Sequence, residues 1–199
     1  MTHGSLAAVT LLKIAQIGHP VLRRRARELD REELLRPETQ TFIDDLVETM
    51  HDASGAGLAA IQVHAPLRIV AMEVKDNPRY PYKPNFPLTI LVNPELELLE
   101  AETFLNFEGC LSVPNLRGQV PRRARVRVRA WDRTGHALDF EVKGLTAGTF
   151  QHEVDHLQGK VFVDRVVDTT TLCTWQDFER FHQAAFALRA KALVAKYGS

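Results

Sequence analysis

The apolar positions along this chain change period several times, and each change predicts an element. Residues 38–53 carry Phe42, Ile43, Leu46, Val47 and Met50 at helical spacing, which predicts an amphipathic helix with one buried stripe. Ser54-Gly55-Ala56-Gly57 predicts its end, because glycine accepts the left-handed conformation of a helix cap. LRIVAMEV (67–74) and TILVNPELELL (89–99) are apolar and β-branched, so both predict strands. Between them NPRYPYKPNFP has four prolines in eleven residues, and its aromatic content predicts a packed, extended excursion.

The clearest pattern lies over residues 124–143. Val126, Val128 and Ala130 alternate with Arg125, Arg127 and Arg129; Leu138, Phe140 and Val142 alternate with Asp139, Glu141 and Lys143. Two half-buried strands follow. Setting arginines against acids places Arg129 opposite Asp139 and Arg127 opposite Glu141, with Arg133-Thr134-Gly135 as the loop and Gly135 at a left-handed bulge position. The arginine row is then a solvated strand face rather than a nucleic-acid stripe. Residues 145–158 turn helical again. A last helix over about 175–196 has Phe178, Phe181, His182, Ala185, Phe186, Leu188 and Ala192 on its apolar side. Near the start, Gly18-His19-Pro20 is a turn, with Pro20 suited to the first position of a short helix. Strands and helices do not alternate regularly, so the fold class is α+β and not a doubly wound sheet.

Composition narrows the picture modestly. The 199 residues suit one domain, 1–199, with 1–10 flexible. Lys plus Arg is 25 and Asp plus Glu is 25, so global charge argues for neither DNA binding nor a membrane surface. No apolar run reaches the roughly 20 residues of a membrane span. Two cysteines, Cys110 and Cys173, make no disulfide framework and fit a reducing compartment. The N-terminus lacks the pattern of a secretory signal. Arg23, Arg24, Arg25 and Arg27, with no acid over 1–27, give only a faint organelle-targeting flavour, so a cytoplasmic enzyme is the expectation.

Chemistry concentrates in three stretches. In QHEVDHLQG (151–159), His152 and His156 stand one helical turn apart and project from one face, with Glu153 beside the first. Two imidazoles as ligands and the glutamate as general base is one reading; two unrelated histidines on a helix is the other. Apolar Phe150, Val154 and Leu157 predict burial, and burying these polar groups without partners is costly, which favours a metal. A catalytic site needs a third ligand. Downstream acids and His182 sit in no ligand-like context. Upstream, EGCLSVPN (108–115) offers Cys110, whose thiolate suits a borderline divalent ion. A lone cysteine is otherwise a small buried hydrophobe. In GAGLAAIQV (55–63), Gln62 is a polar residue in an apolar run, and a developing oxyanion is one partner its amide could have.

Together GAGLAAIQ, EGCLS and QHEVDH resemble the three motifs of peptide deformylases, complete and in the family order, over about residues 11–170. The resemblance implies antiparallel sheets packed around a central metal-binding H-E-x-x-H helix, with a C-terminal helix. It implies Cys110, His152 and His156 as ligands of one divalent metal per chain, Fe(II) in the working enzyme with Zn or Ni as replacements. Glu153 would be general base and acid, and Gln62 with the Leu111 N–H the oxyanion site. Ala56, Gly57 and Gly109 would offer main-chain groups to a peptide, and Leu145 would line its methionine pocket. The activity implied is hydrolysis of N-formyl-methionyl nascent peptides to formate and a free amine. Ala56 stands where bulkier residues are common, Gly148 and Thr149 replace bulkier ones, and the PYKPNFP excursion is long. These departures concern the shape of the substrate's subsites. Two other functions fit the H-E-x-x-H motif: a protease cleaving internal bonds, and a structural zinc module using Cys173 or His136 as fourth ligand. Arg180, Arg189, Lys191 and Lys196 on the last helix offer a contact to ribosomal RNA.

Overall fold

The computed structural model describes residues 10–199. The expected flexible segment therefore lies, except for Thr10, outside the described residues. Two antiparallel sheets carry the fold. The larger has strands β1 (Gly57–Ala59), β2 (Ile69–Val74), β3 (Phe86–Leu98), β6 (Arg125–Trp131) and β7 (Ala137–Lys143), in the order β1-β2-β3-β6-β7. The smaller joins β4 (Thr103–Cys110), β5 (Val113–Arg123) and the short β8 (Cys173–Thr174). The helices are α1 (Arg31–Leu35), α2 (Pro37–Asp52), α3 (Gly144–Leu157), α4 (Trp175–Asp177) and α5 (Gln183–Tyr197).

Strand β2 shows why the larger sheet reads as a continuous apolar run. Ile69 and Ala71 face a cluster with Ile43, Leu46 and Met50 of α2, while Val70 and Met72 face one with Phe150 and Leu157 of α3. A strand covered on both faces needs no polar side. Strand β3 alternates likewise, Ile90 and Val92 toward α2 and Leu91 toward α3.

The hairpin of β6 and β7 has the expected register, with Arg127 opposite Glu141 and Arg129 opposite Asp139. The closest ion pairs run diagonally, while the directly opposed Arg129 and Asp139 stand 3.7 Å apart. Arg127 binds Asp139 through two hydrogen bonds of 2.6 and 2.9 Å, Arg125 binds Glu141 at 2.7 Å, and Arg129 reaches across to Glu97 at 2.9 Å. Long guanidinium side chains lean along the strand and meet the next acid over. In the loop, the Asp132 carboxylate accepts from the Thr134 and His136 amides, and Gly135 takes φ +80°.

Two expectations need correction. The left-handed residue after α2 is Ser54, φ 51°, not a glycine. The glycines serve close approach instead: a Cβ at Gly55 would stand 3.0 Å from Leu111, and one at Gly57 would enter Glu153. In the last helix Phe181 and Leu188 are exposed, and Ala185, His182 and Ala192 with them. The helix begins as α4, passes through a π turn over Phe178–His182, and continues as α5. The wider turn shifts the face that follows, and the buried stripe becomes Phe178, Phe186 and Ala190. That stripe packs with Phe107 of β4 and Leu145 of α3.

Candidate active site

Helix α3 is buried along most of its length, and His152, Glu153, Asp155 and His156 are among its buried residues. It touches strands of both sheets as well as α5. The final turn closes at Gly159, φ +74°, where any Cβ would stand 2.7 Å from the Arg23 carbonyl.

Cys110, at the end of β4, joins this helix. One ligand atom from each of Cys110, His152 and His156 lies within 4.8 Å of the others, and all three residues are buried. Cys110 Sγ is 3.3 Å from His156 Nε2. His152 turns its Nδ1 to Glu108 Oε2 at 2.8 Å, which fixes the ring and leaves Nε2 for the cluster. Burial disfavours charge on His152, yet Cys110 and Glu108 hold its pKa well above the usual histidine value. Burial, with His152 beside it, lowers the His156 pKa well below the usual histidine value. Three donors of this kind, with room left for a fourth position, fit a catalytic divalent ion. Among the described residues no fourth His, Cys, Asp or Glu joins the group. His136 is instead an exposed loop residue against Asp132, and Cys173 lies in β8 opposite Arg117.

Glu153 is 4 % exposed and its Oε2 has no hydrogen-bond partner. Burial raises its pKa above the ordinary glutamate value. Gln62 is held by its carbonyl, which accepts from the Ala59 N–H at 2.8 Å. Its NH2 is thereby aimed at the cluster, 3.6 Å from Cys110 Sγ and 3.0 Å from Ser112 Oγ. These groups open onto one cavity, with Ala56, Gly57, Gly109 and Leu111 on its walls. Leu145 is not on the wall; it is fully buried behind Phe107, packed against Phe178 and Phe186.

Sequence reasoning missed the polar support of the cluster. Glu108 accepts two hydrogen bonds from Arg122, at 2.7 and 2.9 Å, and Arg122 donates a third to Asp155 at 2.7 Å. Arg165 clamps Asp155 from outside at 2.5 Å. Burial alone would raise the Glu108 pKa, but Arg122 and His152 reverse this and hold it well below the carboxylate range. Asp155 thus anchors, through Arg122 and Glu108, the ring of His152. The sequence held one signal, a glutamate and an aspartate inside apolar surroundings, but not their shared arginine. Lys83 and Tyr80 on the cavity wall were also missed, because the proline-rich segment carrying them folds back from a distance.

Comparison with known proteins gives a consistent result. Residues 11–171 match the family model described as polypeptide deformylase. A protein named peptide deformylase 2 from Bordetella bronchiseptica is 43% identical over 157 residues, 79% of this chain and 88% of that protein. Another of that name from a Nostoc species is 37% identical over 169 residues, 85% of this chain and 93% of that one. Among solved structures, a class I type b peptide deformylase from Acinetobacter baumannii with Met-Ala-Ser bound superposes with a TM-score of 0.77 at 36% identity, covering 80% of this chain and 100% of the other. The shared architecture is α+β, with antiparallel sheets and a C-terminal helix.

Proposed function

The chain belongs to the polypeptide deformylase family, hydrolases that remove the N-formyl group from newly made polypeptides, and from that premise we propose how its residues carry the reaction. The unit that acts is the whole chain, folded as one catalytic domain. Membership implies one catalytic metal, and Cys110, His152 and His156 would hold it, on α3 as the central metal-binding helix. When bound, the ion would acidify water in the site and polarise the formyl oxygen. We take Fe(II) as the working ion, with Zn or Ni able to replace it.

The remaining steps belong to side chains. Glu153 takes the proton of the attacking water and returns it to the nitrogen that leaves. Its raised pKa supports that role, since a base that must also act as an acid works best with a proton affinity lifted toward neutrality. The Gln62 NH2 and the Leu111 N–H stabilise the oxygen that gains charge. Because Ala59 fixes the Gln62 amide, its donors need no reorganisation as charge develops. Strand β1 lies at the edge of its sheet, so Ala56 and Gly57 are placed to receive an extended peptide as an added strand, with Gly109 opposite. Leu145 supports the pocket at one remove, through Phe107.

The observation that carries this reading is the convergence on one cavity of Cys110 and His152 with Glu153 and Gln62. Its test is formate release from formyl-Met-Ala-Ser by protein loaded anaerobically with iron, nickel or cobalt. Formate with an intact peptide is the expected outcome. Cleavage of an internal bond would point to a protease, and no formate with any metal would refute the assignment.

Two finer points belong to the same reading. No helix among the described residues is long and apolar enough to cross a membrane; we place the activity in the cytoplasm, where formylated chains emerge. The last helix turns Arg180, Arg189 and Lys191 outward, while Lys196 pairs with Glu102 at 2.5 Å. We assign the free cations a contact with ribosomal RNA, which unchanged ribosome co-sedimentation after deletion of residues 175–199 would contradict.

A further inference from the structure

The cavity beside Glu153 has a polar far wall that the reaction does not use. Lys83 enters it from the proline-rich segment; its Nζ donates to Thr149 Oγ1 at 2.9 Å and sits 4.6 Å from the centre of the Tyr80 ring. Asn106 is 3 % exposed, lines the same cavity, and its Oδ1 has no partner. Gly148 stands next to it, and a Cβ there would press on the Asn106 amide at 3.3 Å. A small second cavity, with Met72, Val74 and Phe86 on its walls, continues past Lys83 and Thr149. Lys83 is therefore the junction between the space at the metal cluster and the apolar space beyond.

A substrate whose formyl carbon sits at Cys110, His152 and Gln62 must place the atoms next to it in the remainder of this cavity. The space open to the centre of a water-sized sphere is about 30 Å³, enough for water to enter. An entering side chain therefore displaces water and meets the four-carbon stem of Lys83 on the wall. The ammonium carries three donors, and one is spent on Thr149. A hydrocarbon side chain would strip water from the others and give nothing back, whereas an acceptor on the side chain replaces the lost water. Burial lowers the lysine pKa to about 8, so the ammonium form still prevails at neutral pH.

We propose that Lys83 is a specificity-determining residue which donates a charged hydrogen bond to an acceptor at the end of the substrate's first side chain. The inference rests on the deformylase reading of this cavity and adds a preference to it. The substrate class is then formyl peptides whose first residue ends in a hydrogen-bond acceptor: a thioether weakly, a sulfoxide oxygen strongly, a plain alkyl chain not at all.

The experiment compares kcat/KM for three formyl peptides, X-Ala-Ser with X norleucine, methionine or methionine sulfoxide, on metal-loaded wild type and Lys83→Met. These side chains share length and differ at the sulfur position. Wild type should favour the sulfoxide over norleucine by about tenfold or more, the factor expected of a hydrogen bond to a charged group, with methionine between them. Lys83→Met should bring the ratio to about one or below, and Lys83→Arg should keep it above one. Each ratio is taken within one protein, so a variant that is partly folded still reports. A wild-type ratio near or below one, or equal ratios in wild type and Lys83→Met, overturns the proposal while leaving the deformylase reading standing. No formate from any of the three peptides overturns that reading and this proposal with it.

Discussion

Replacing Gly57 by alanine probes the proposed general base, Glu153, without substituting it. An added Cβ would lie 2.4 Å from Glu153 Oε1, 2.5 Å from Cδ and 2.7 Å from Cγ. Restoring an ordinary contact distance of 3.4 Å requires a displacement of 1.0 Å. Glu153 is the group that must move, because β1 is tied to β2 on one side and its backbone is not free to retreat. Gly57 has no positive φ, so backbone strain does not confuse the result. A reacting group misplaced by about 1 Å costs roughly 10²-fold in rate, or about 2.7 kcal/mol of barrier. The assay is kcat/KM for formate release, beside metal content and thermal midpoint. We expect a fall of roughly 10²-fold with the metal retained. A Gly57→Ala protein within about threefold of wild type, far short of the cost of a misplaced base, would show that Glu153 need not stand where it does.

Other expectations follow from the same geometry. Cys110→Ala should lose the metal and formate release together, read by elemental analysis of the dialysed protein; retention of both would remove Cys110 from the ligand set. Asp155→Ala leaves the buried Arg122 short of one carboxylate and should lower unfolding stability by about 3 kcal/mol, as broken buried pairs do; a denaturant midpoint equal to wild type would contradict this. Lys83 gives a pH signature. Below pH 8 both folded and unfolded chains hold its proton, and between about 8 and 10.5 only the unfolded chain does. The unfolded state then binds more protons, so wild-type stability should rise with pH across that window relative to Lys83→Met. Parallel stability curves for the two proteins would refute a buried ammonium.

What the sequence shows and what it hides divide along physical lines. The β6–β7 register was legible because alternation sets the faces and the acids opposite the arginines set the offset. That β2 is a strand was legible in its unbroken apolar run, while its cover on both faces shows only in the structure. The exposed Phe181 and Leu188 were not, since a π turn adds a residue without leaving a periodic trace. Ser54 was passed over for the neighbouring glycines, whose need is set by Leu111 and Glu153, far along the chain. The proximity of Cys110 to the two histidines is carried by motifs that can be read locally. The Glu108–Arg122–Asp155–Arg165 chain joins four separate elements, and nothing in the sequence says which arginine meets which acid. Lys83 was hidden for the same reason: its partner Thr149 lies 66 residues away.

In the proposed reaction Cys110, His152 and His156 hold the metal while Glu153 moves the proton. The most direct test measures metal content and formate release together in wild type and Glu153→Ala. Equal metal is expected in both proteins, with a loss of turnover of about 10²-fold or more in the variant, the range of a lost acid–base group. Glu153→Ala that keeps its turnover would contradict the assignment of the base, and loss of the metal along with turnover would make Glu153 part of the binding site instead.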